Sequence, residues 1–163
     1  MIKTLRIDER MIHGQVAVVW FRMYNITHAV VANDDVAKDP IQRNSLMLAA
    51  PTGTKVAIKT VDEAIIMLND PRLVDKNVMV IVRNAADALR IVVKVPGIPY
   101  VNVGNLGYIA NKGDNMSYSS YVNLNQNIID TLQAINQLVN VEFQVLPNTE
   151  KKSLISFLKG GNS

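Results

Sequence analysis

The chain has no cysteine, which excludes disulfide bonds and metal sites built from thiolates. Aromatic residues make up only 6% of the 163 residues, and the net charge of +3 is too small to favour nucleic acid as a partner. No apolar run is long enough to cross a bilayer, and the N-terminus has no basic-then-apolar leader. We therefore expect a cytoplasmic protein with no metal site and no nucleic-acid partner.

Apolar residues, by contrast, are plentiful. They make up 48% of the chain, which at this length is sufficient for one domain with a real core. No repeat, low-complexity tract or linker interrupts the sequence. We predict a single domain over residues 1–163, in which the residues from about 160 onwards form a frayed tail.

Strand patterns alternate with helix patterns along the chain. The predicted strands cover residues 2–7, 27–32, 55–59, 78–82, 100–103, 117–124 and 141–146. The first predicted helix begins near Gly14, and the others cover residues 40–50, 62–69, 85–93, 125–140 and 153–158. This alternation favours an α/β fold with an open, mostly parallel sheet of six to seven strands and helices on both faces, a three-layer α/β/α arrangement.

The run from Ile7 to Val16 connects the first predicted strand to the first predicted helix. That helix is indicated by apolar residues at helical spacing, which are Val16, Val19, Trp20 and Met23. His13 therefore lies where the helix begins. The first N–H groups there have no intrahelical partner and carry partial positive charge, which attracts anions, phosphate above all. The same charge disfavours protonation of an imidazole, so we expect an uncharged ring with a nucleophilic nitrogen.

The residues beside His13 suit phosphoryl chemistry. Arg10 has a planar fork that matches phosphoryl oxygens, and we predict that it acts together with His13 in catalysis. The absence of a side chain at Gly14 allows a ligand to approach the backbone closely. The residues predicted to support the phosphoryl group or the ring are Asp8, Gly14, Gln15 and Val16. Together these groups describe a phosphoryl-accepting histidine.

Taken singly, each of these residues has an ordinary structural explanation. A histidine in a strand-to-helix loop is often a capping or solvated residue. Arg10 alone is typical of a surface charge, and Asp8 alone of a turn, a cap or a partner for an arginine. Their occurrence together at one strand end favours the functional interpretation, because ligands of open α/β sheets bind at the carboxyl ends of the strands.

Further polar residues and glycines lie within or just after predicted strands. The candidates for the edge of the same pocket are Arg6, Asn33, Asp34, Arg83, Gly104 and Asn105. Alternatives remain open for several of them. Paired acids at a strand end bind metals in some proteins, but they also start turns and cap helices, which we favour for Asp35 or Asp39. Arg83 alone is more typical of a cap or a surface ion pair, and His28 is predicted to be structural.

The run from Arg6 to Val16, with Trp20 after it, resembles the active-site signature of one family. That family comprises the IIB components of the mannose/fructose/sorbose class of the bacterial phosphoenolpyruvate-dependent sugar phosphotransferase system. The resemblance continues through residues 33–39 and 49–56 and reappears at 101–105. It covers nearly the whole chain, which is thereby identified as one sorbose-type IIB domain.

The resemblance implies a specific activity. His13 would accept a phosphoryl group on Nδ1 from a phosphohistidine of a IIA phosphocarrier, and Arg10 would steady that group. The chain would then dock peripherally on a membrane transporter of IIC and IID components and pass the group to the arriving sugar. It would be a protein-phosphohistidine–sugar phosphotransferase with no cofactor beyond the covalent phosphohistidine. In the loop after the fifth predicted strand, the family resemblance leads us to expect a bulkier or polar residue where this chain has Gly107 and Tyr108.

Two other functions remain as alternatives. A small-molecule α/β enzyme, such as a nucleotide-binding transferase, needs a phosphate loop, and the glycines in 104–107 match neither a dinucleotide fingerprint nor a Walker loop. A non-catalytic regulatory or scaffold module of the same fold would keep the partner surface. Such a module has no need of His13, Arg10 and Gly14 together.

Overall fold

The computed structural model describes residues 1–108 and 116–160, and these residues form nine strands, six α-helices and two short 3₁₀ helices. The strands are β1 (Ile2–Asp8), β2 (His28–Ala32), β3 (Lys55–Lys59), β4 (Val78–Val82), β5 (Val101–Asn105), β6 (Met116–Ser117), β7 (Asn123–Leu124), β8 (Val141–Phe143) and β9 (Lys152–Ser153). The helices are α1 (Gly14–Met23), α2 (Pro40–Ala49), α3 (Val61–Leu68), α4 (Ala85–Lys94), α5 (Gln126–Leu138) and α6 (Leu154–Gly160).

Seven of the described strands form one sheet in the order β3-β2-β4-β1-β5-β8-β9. Neighbouring strands are parallel except β9, which is antiparallel to β8 at the edge. β1 lies near the middle, with Ile7 beside Val82 of β4 and Val103 of β5. The prediction of an open, mostly parallel sheet of six to seven strands is confirmed.

Helices cover both faces of this sheet because its strands are apolar on both sides. On one face Leu5 and Ile7 of β1 pack in a core with α3, α4, α5 and α6. On the other face Met79 and Ile81 of β4 pack in a second core with α1 and α2. α4 and α5, which follow β4 and β5 in the chain, thus lie on one face of the sheet, and α1, which follows β1, lies on the other face. A ligand crevice of an open α/β sheet forms at such a change of side.

Two predicted strands near the C-terminus are wrong in extent. The predicted strand 117–124 is a hairpin of β6 and β7, because the Ser119 hydroxyl accepts the N–H groups of Tyr121 and Val122 and turns the chain. The predicted strand 141–146 ends at Phe143, after which Gln144 donates from its side chain to the carbonyls of residues 147 and 149. This turn returns the chain to form β9, which was not predicted.

The predicted tail from about residue 160 falls mostly outside the described residues, since α6 includes Gly160 and the description stops there. Within residues 1–108 and 116–160, no helix is long and apolar enough to cross a membrane.

Side-chain caps define where several helices begin. Asn125 precedes α5, and its Oδ1 accepts the N–H of Ile128 at 2.8 Å. We expect Asn125→Ala to lower the free energy of unfolding by about 1 kcal/mol, because the N–H of Ile128 loses its acceptor. Urea denaturation monitored by circular dichroism measures this loss. Asn127→Ala, an exposed change inside the same helix, is the control and should not destabilise the protein.

Candidate active site

Asp8, the last residue of β1, is the centre of the site and is fully buried. Its Oδ2 accepts a hydrogen bond from Nη2 of Arg6 at 3.0 Å, and its Oδ1 accepts the backbone N–H of Arg10 at 3.0 Å. The N–H of Met11 donates to the carbonyl of Asp8 at 2.9 Å and closes a tight turn. Met11 has a φ of 58°, an uncommon conformation that costs about 1 kcal/mol or more in a residue other than glycine.

His13 is the residue immediately before α1, and its side chain does not cap that helix. Its Nε2 instead lies 3.2 Å from Oδ2 of Asp8. Because this carboxylate already accepts hydrogen bonds from Arg6 and from the Arg10 amide, Nε2 is the donor. An uncharged ring held in this way has its proton on Nε2 and its lone pair on Nδ1.

The ionisation of Asp8 supports this assignment. Burial acts to raise the pKa of Asp8, but the hydrogen bond with His13 and the positive charge of Arg6 outweigh it, so the pKa lies below its usual value. The carboxylate is therefore ionised at neutral pH and can only accept hydrogen bonds.

The start of α1 presents backbone amides beside His13. The N–H groups of residues 14–16 have no intrahelical acceptor, and the side chain of His13 at the N-cap does not accept from them. Gly14 is exposed and has a φ of +44°, a left-handed conformation that favours glycine. No atom of the described residues lies within 4 Å of the place where a Cβ of Gly14 would stand, so the space beside Gly14 is open. This end of the helix is suited to an anion.

Arg10 lies on the solvent side of the same loop. Its side chain is 43% exposed, and its Nε lies 3.7 Å from Oδ1 of Asp8. This long contact is a weak anchor, because solvent reaches the arginine that makes it. The guanidinium is therefore free to turn toward a ligand at His13.

Three of the predicted edge residues lie beside Asp8 or its loop, namely Arg6, Gly104 and Asn105. Arg6 is 3% exposed and lies beneath Asp8 rather than at a surface edge. Gly104 is buried beside Arg6, and a Cβ at Gly104 would overlap the guanidinium. The carbonyl of Asn105 accepts the backbone N–H of Glu9 at 3.1 Å, which ties the end of β5 to the loop after β1.

The other predicted edge residues have hydrogen-bond partners of their own. Asn33 is buried and accepts the N–H groups of residues 35 and 36 through Oδ1, so it forms a turn. Asp34 accepts the first N–H of α3 and pairs with Arg90 at 3.0 Å. Nη2 of Arg83 donates to Gln42 of α2 at 3.2 Å. Asp39 caps α2, as the sequence favoured for Asp35 or Asp39.

Sequence reasoning missed the role of Glu9. This residue is 3% exposed, and its carboxylate accepts the N–H groups of Gly107 and Tyr108 at 2.8 and 3.0 Å. It thereby holds the segment after β5 against the loop that contains His13. Glu9 lies in the turn just after β1, and no local pattern indicates its role, because its partners are 98 and 99 positions further along the chain.

Comparison with known proteins places the chain in a family. Residues 2–163 match the family model described as the PTS system sorbose subfamily IIB component. A probable phosphotransferase enzyme IIB component of Streptococcus pyogenes serotype M6 is 38% identical over 162 residues, which cover 94% of this chain and 97% of that protein. The mannose-specific EIIAB component of Escherichia coli strain K12 is 34% identical over 108 residues, 66% of this chain and 33% of that protein.

A solved structure has the same fold. The crystal structure of the IIBSor domain of the sorbose permease from Klebsiella pneumoniae matches with a TM-score of 0.90 at 27% identity, over 98% of this chain and 96% of that one. The family match extends over the predicted histidine loop and nearly the whole chain. The chain therefore belongs to the sorbose subfamily of IIB components of the sugar phosphotransferase system, a family of phosphotransferases in sugar transport.

Proposed function

We propose that this chain is a phosphocarrier that accepts a phosphoryl group from a IIA phosphohistidine onto His13 and passes it to a sugar. The observation that carries the proposal is the hydrogen bond from Nε2 of His13 to buried Asp8, which leaves the lone pair on Nδ1. The ring stands at the uncapped start of α1 and is 23% exposed, so a docked partner can reach it.

The transfer is a displacement at phosphorus. The Nδ1 lone pair of His13 forms the new N–P bond while the N–P bond of the donor phosphohistidine breaks, and the donor imidazole recovers its electron pair. The loose transition state spreads charge over three oxygens. Arg10 and the N–H groups of residues 14–16 stabilise that charge. No proton moves at His13, because Nε2 keeps its hydrogen.

The phosphorylated ring then has a positive charge, which Asp8 balances. A cationic imidazole is a good leaving group, so the phosphoryl group remains transferable. Donor and acceptor are both imidazoles, and the first step is therefore close to balanced in free energy. Docking must exclude water, since water would hydrolyse the phosphohistidine.

Two partners follow from this role. The E. coli mannose-specific relative is named as an EIIAB component, which supports a IIA phosphocarrier as the donor. The acceptor is a sugar translocated by membrane IIC and IID components, on which the chain docks peripherally from the cytoplasm. The reaction is that of a protein-phosphohistidine–sugar phosphotransferase and uses no cofactor beyond the covalent intermediate.

A labelling experiment tests the proposal. The purified chain is incubated with labelled phosphoenolpyruvate and a donor chain that ends in a phosphorylated IIA component. We expect the label to appear on the chain as an acid-labile, alkali-stable phosphate, as phosphohistidine requires. Binding of the IIA component without any label would support the alternative of a non-catalytic regulatory or scaffold module.

A further inference from the structure

A buried guanidinium lies directly beneath the proposed site. Arg6 is 3% exposed, and it donates hydrogen bonds to Oδ2 of Asp8 at 3.0 Å and to the carbonyls of Gln144 and Val145 at 3.3 and 3.2 Å. It also donates to Oδ1 of Asn102. Its acceptors thus come from β1, β5 and the segment after β8.

The space around this guanidinium is shaped to hold it. The ring of Trp20 on α1 lies 5.0 Å from Cζ of Arg6, and Trp20 itself donates from Nε1 to the carbonyl of Val145 at 2.8 Å. Gly104 also lies against the guanidinium, which any Cβ there would overlap. The planar group is therefore confined between the indole, the glycine and four acceptors.

The position of Arg6 favours the ionised form of the Asp8 carboxyl group, because the positive charge of Arg6 lowers its pKa. An isolated buried carboxyl is favoured in its neutral form, because burial penalises the charge. The charged or titratable groups that face Asp8 are Arg6 on β1 and Arg10 and His13 on the loop. The hydrogen bond with His13 and the positive charge of Arg6 both lower the pKa of Asp8, and among these three groups Arg6 is the buried cation. Within residues 1–108 and 116–160, the partners that β5 and the segment after β8 supply to Arg6 are neutral, namely the side chain of Asn102 and the carbonyls of Gln144 and Val145.

We propose that Arg6 is a positioning residue for phosphoryl transfer, which fixes the His13 tautomer by holding Asp8 as an obligatory hydrogen-bond acceptor. This inference rests on the proposed function of His13. Without Arg6, a protonated Asp8 would donate to Nε2, and the ring proton would move to Nδ1. The nitrogen that faces the phosphoryl donor would then have no lone pair for the attack.

The tautomer is measured directly by ¹⁵N NMR of the imidazole nitrogens in the unphosphorylated protein, where no transfer is needed. A His28→Asn background leaves His13 as the only histidine signal. We expect a protonated Nε2 and an unprotonated Nδ1 in the parent at neutral pH. A parent ring that is protonated on Nδ1 alone would overturn the inference without any further variant.

Substitutions at Arg6 separate charge from packing. Arg6→Gln should shift the ring toward the Nδ1-protonated tautomer, and Arg6→Lys, which keeps a cation beside Asp8, should restore the parent tautomer. Gly104→Ala leaves the guanidinium in the chain but displaces it, and should shift the tautomer as Arg6→Gln does. Arg72→Gln, at an exposed arginine paired with Asp70, is the matched control and should change nothing.

The rate of phosphorylation by IIA gives a second readout. We expect Arg6→Gln to be about ten-fold slower or more at pH 7, because part of the population has the wrong tautomer. The loss should diminish as the pH rises. Without Arg6, burial raises the pKa of Asp8, and ionisation at higher pH restores the acceptor. A purely structural defect would slow transfer by the same factor at every pH.

These measurements distinguish the two proposals. A parent chain that accepts no phosphate would end the proposed function, whereas the NMR result would still decide what Arg6 does to the ring. A folded Arg6→Gln or Gly104→Ala variant with the parent tautomer would overturn the role of Arg6. If neither variant folds, the tautomer of the parent and of Arg6→Lys decides the question.

Discussion

His13→Ala abolishes labelling of this chain by a phosphorylated IIA component. The variant has no imidazole nitrogen at the start of α1 to attack the phosphorus. The fold should persist, because the ring is partly exposed and Asp8 keeps its hydrogen bonds with Arg6 and with the Arg10 amide. The measurement is the amount of acid-labile label per chain at the end point.

His28→Ala is the matched control, since it removes the only other histidine. His28 begins β2, whereas His13 follows the end of β1. Because these strands run in the same direction, the two residues lie at opposite ends of the strands. Nδ1 of His28 is paired with the hydroxyl of Thr27 at 2.9 Å. We expect full labelling of this variant. Undiminished labelling of His13→Ala would remove His13 from the proposal.

Arg10→Ala has the second largest expected effect. The guanidinium is the exposed cation next to His13, and its loss removes charge stabilisation from the transition state. We expect the activation free energy of transfer to rise by about 2 to 4 kcal/mol, which slows the rate about 30- to 900-fold. Rapid-quench measurement of label transfer from IIA gives the rate constant directly.

The stability of Arg10→Ala should change little, because the contact between Arg10 and Asp8 is 3.7 Å long and exposed. Arg10→Lys keeps the charge but loses the planar fork, and should give an intermediate rate. Arg22→Ala, an exposed arginine in the last turn of α1, is the control and should transfer at the parent rate. If Arg10→Ala stays within a factor of two of the parent, Arg10 does not take part in the mechanism.

The large elements of the fold were predictable because each has its own period. The strand that became β4 is a continuous apolar run, as a buried parallel strand requires, and α5 repeats its apolar residues at helical spacing. The failures lie where an element has two residues, as in β6, β7 and β9. Two residues have no period, and their pairing depends on turns formed by Ser119 and Gln144.

In the candidate site, too, the local features were predictable from the sequence and the long-range contacts were not. Asp8, Arg10, His13 and Gly14 lie within one short loop, so their proximity follows from chain connectivity alone. The family resemblance was visible there for the same reason, and the match to the sorbose-subfamily IIB model bears it out. The assignment of Arg6 and Gly104 to a pocket edge could not show that Gly104 provides room for Arg6, because the two residues are 98 positions apart and meet only across β1 and β5.

Local sequence was thus sufficient for the family, the α/β alternation and the loop that presents a histidine beside a helix start. The bonding within that loop came from long-range packing. Asp8 could have paired with either neighbouring arginine or with the ring, and each choice was consistent with the sequence. Burial beneath α1, with acceptors from β5 and the segment after β8, placed Arg6 under the carboxylate. A charge removed from water takes the partners that the surrounding strands provide, and these are set by the assembled sheet.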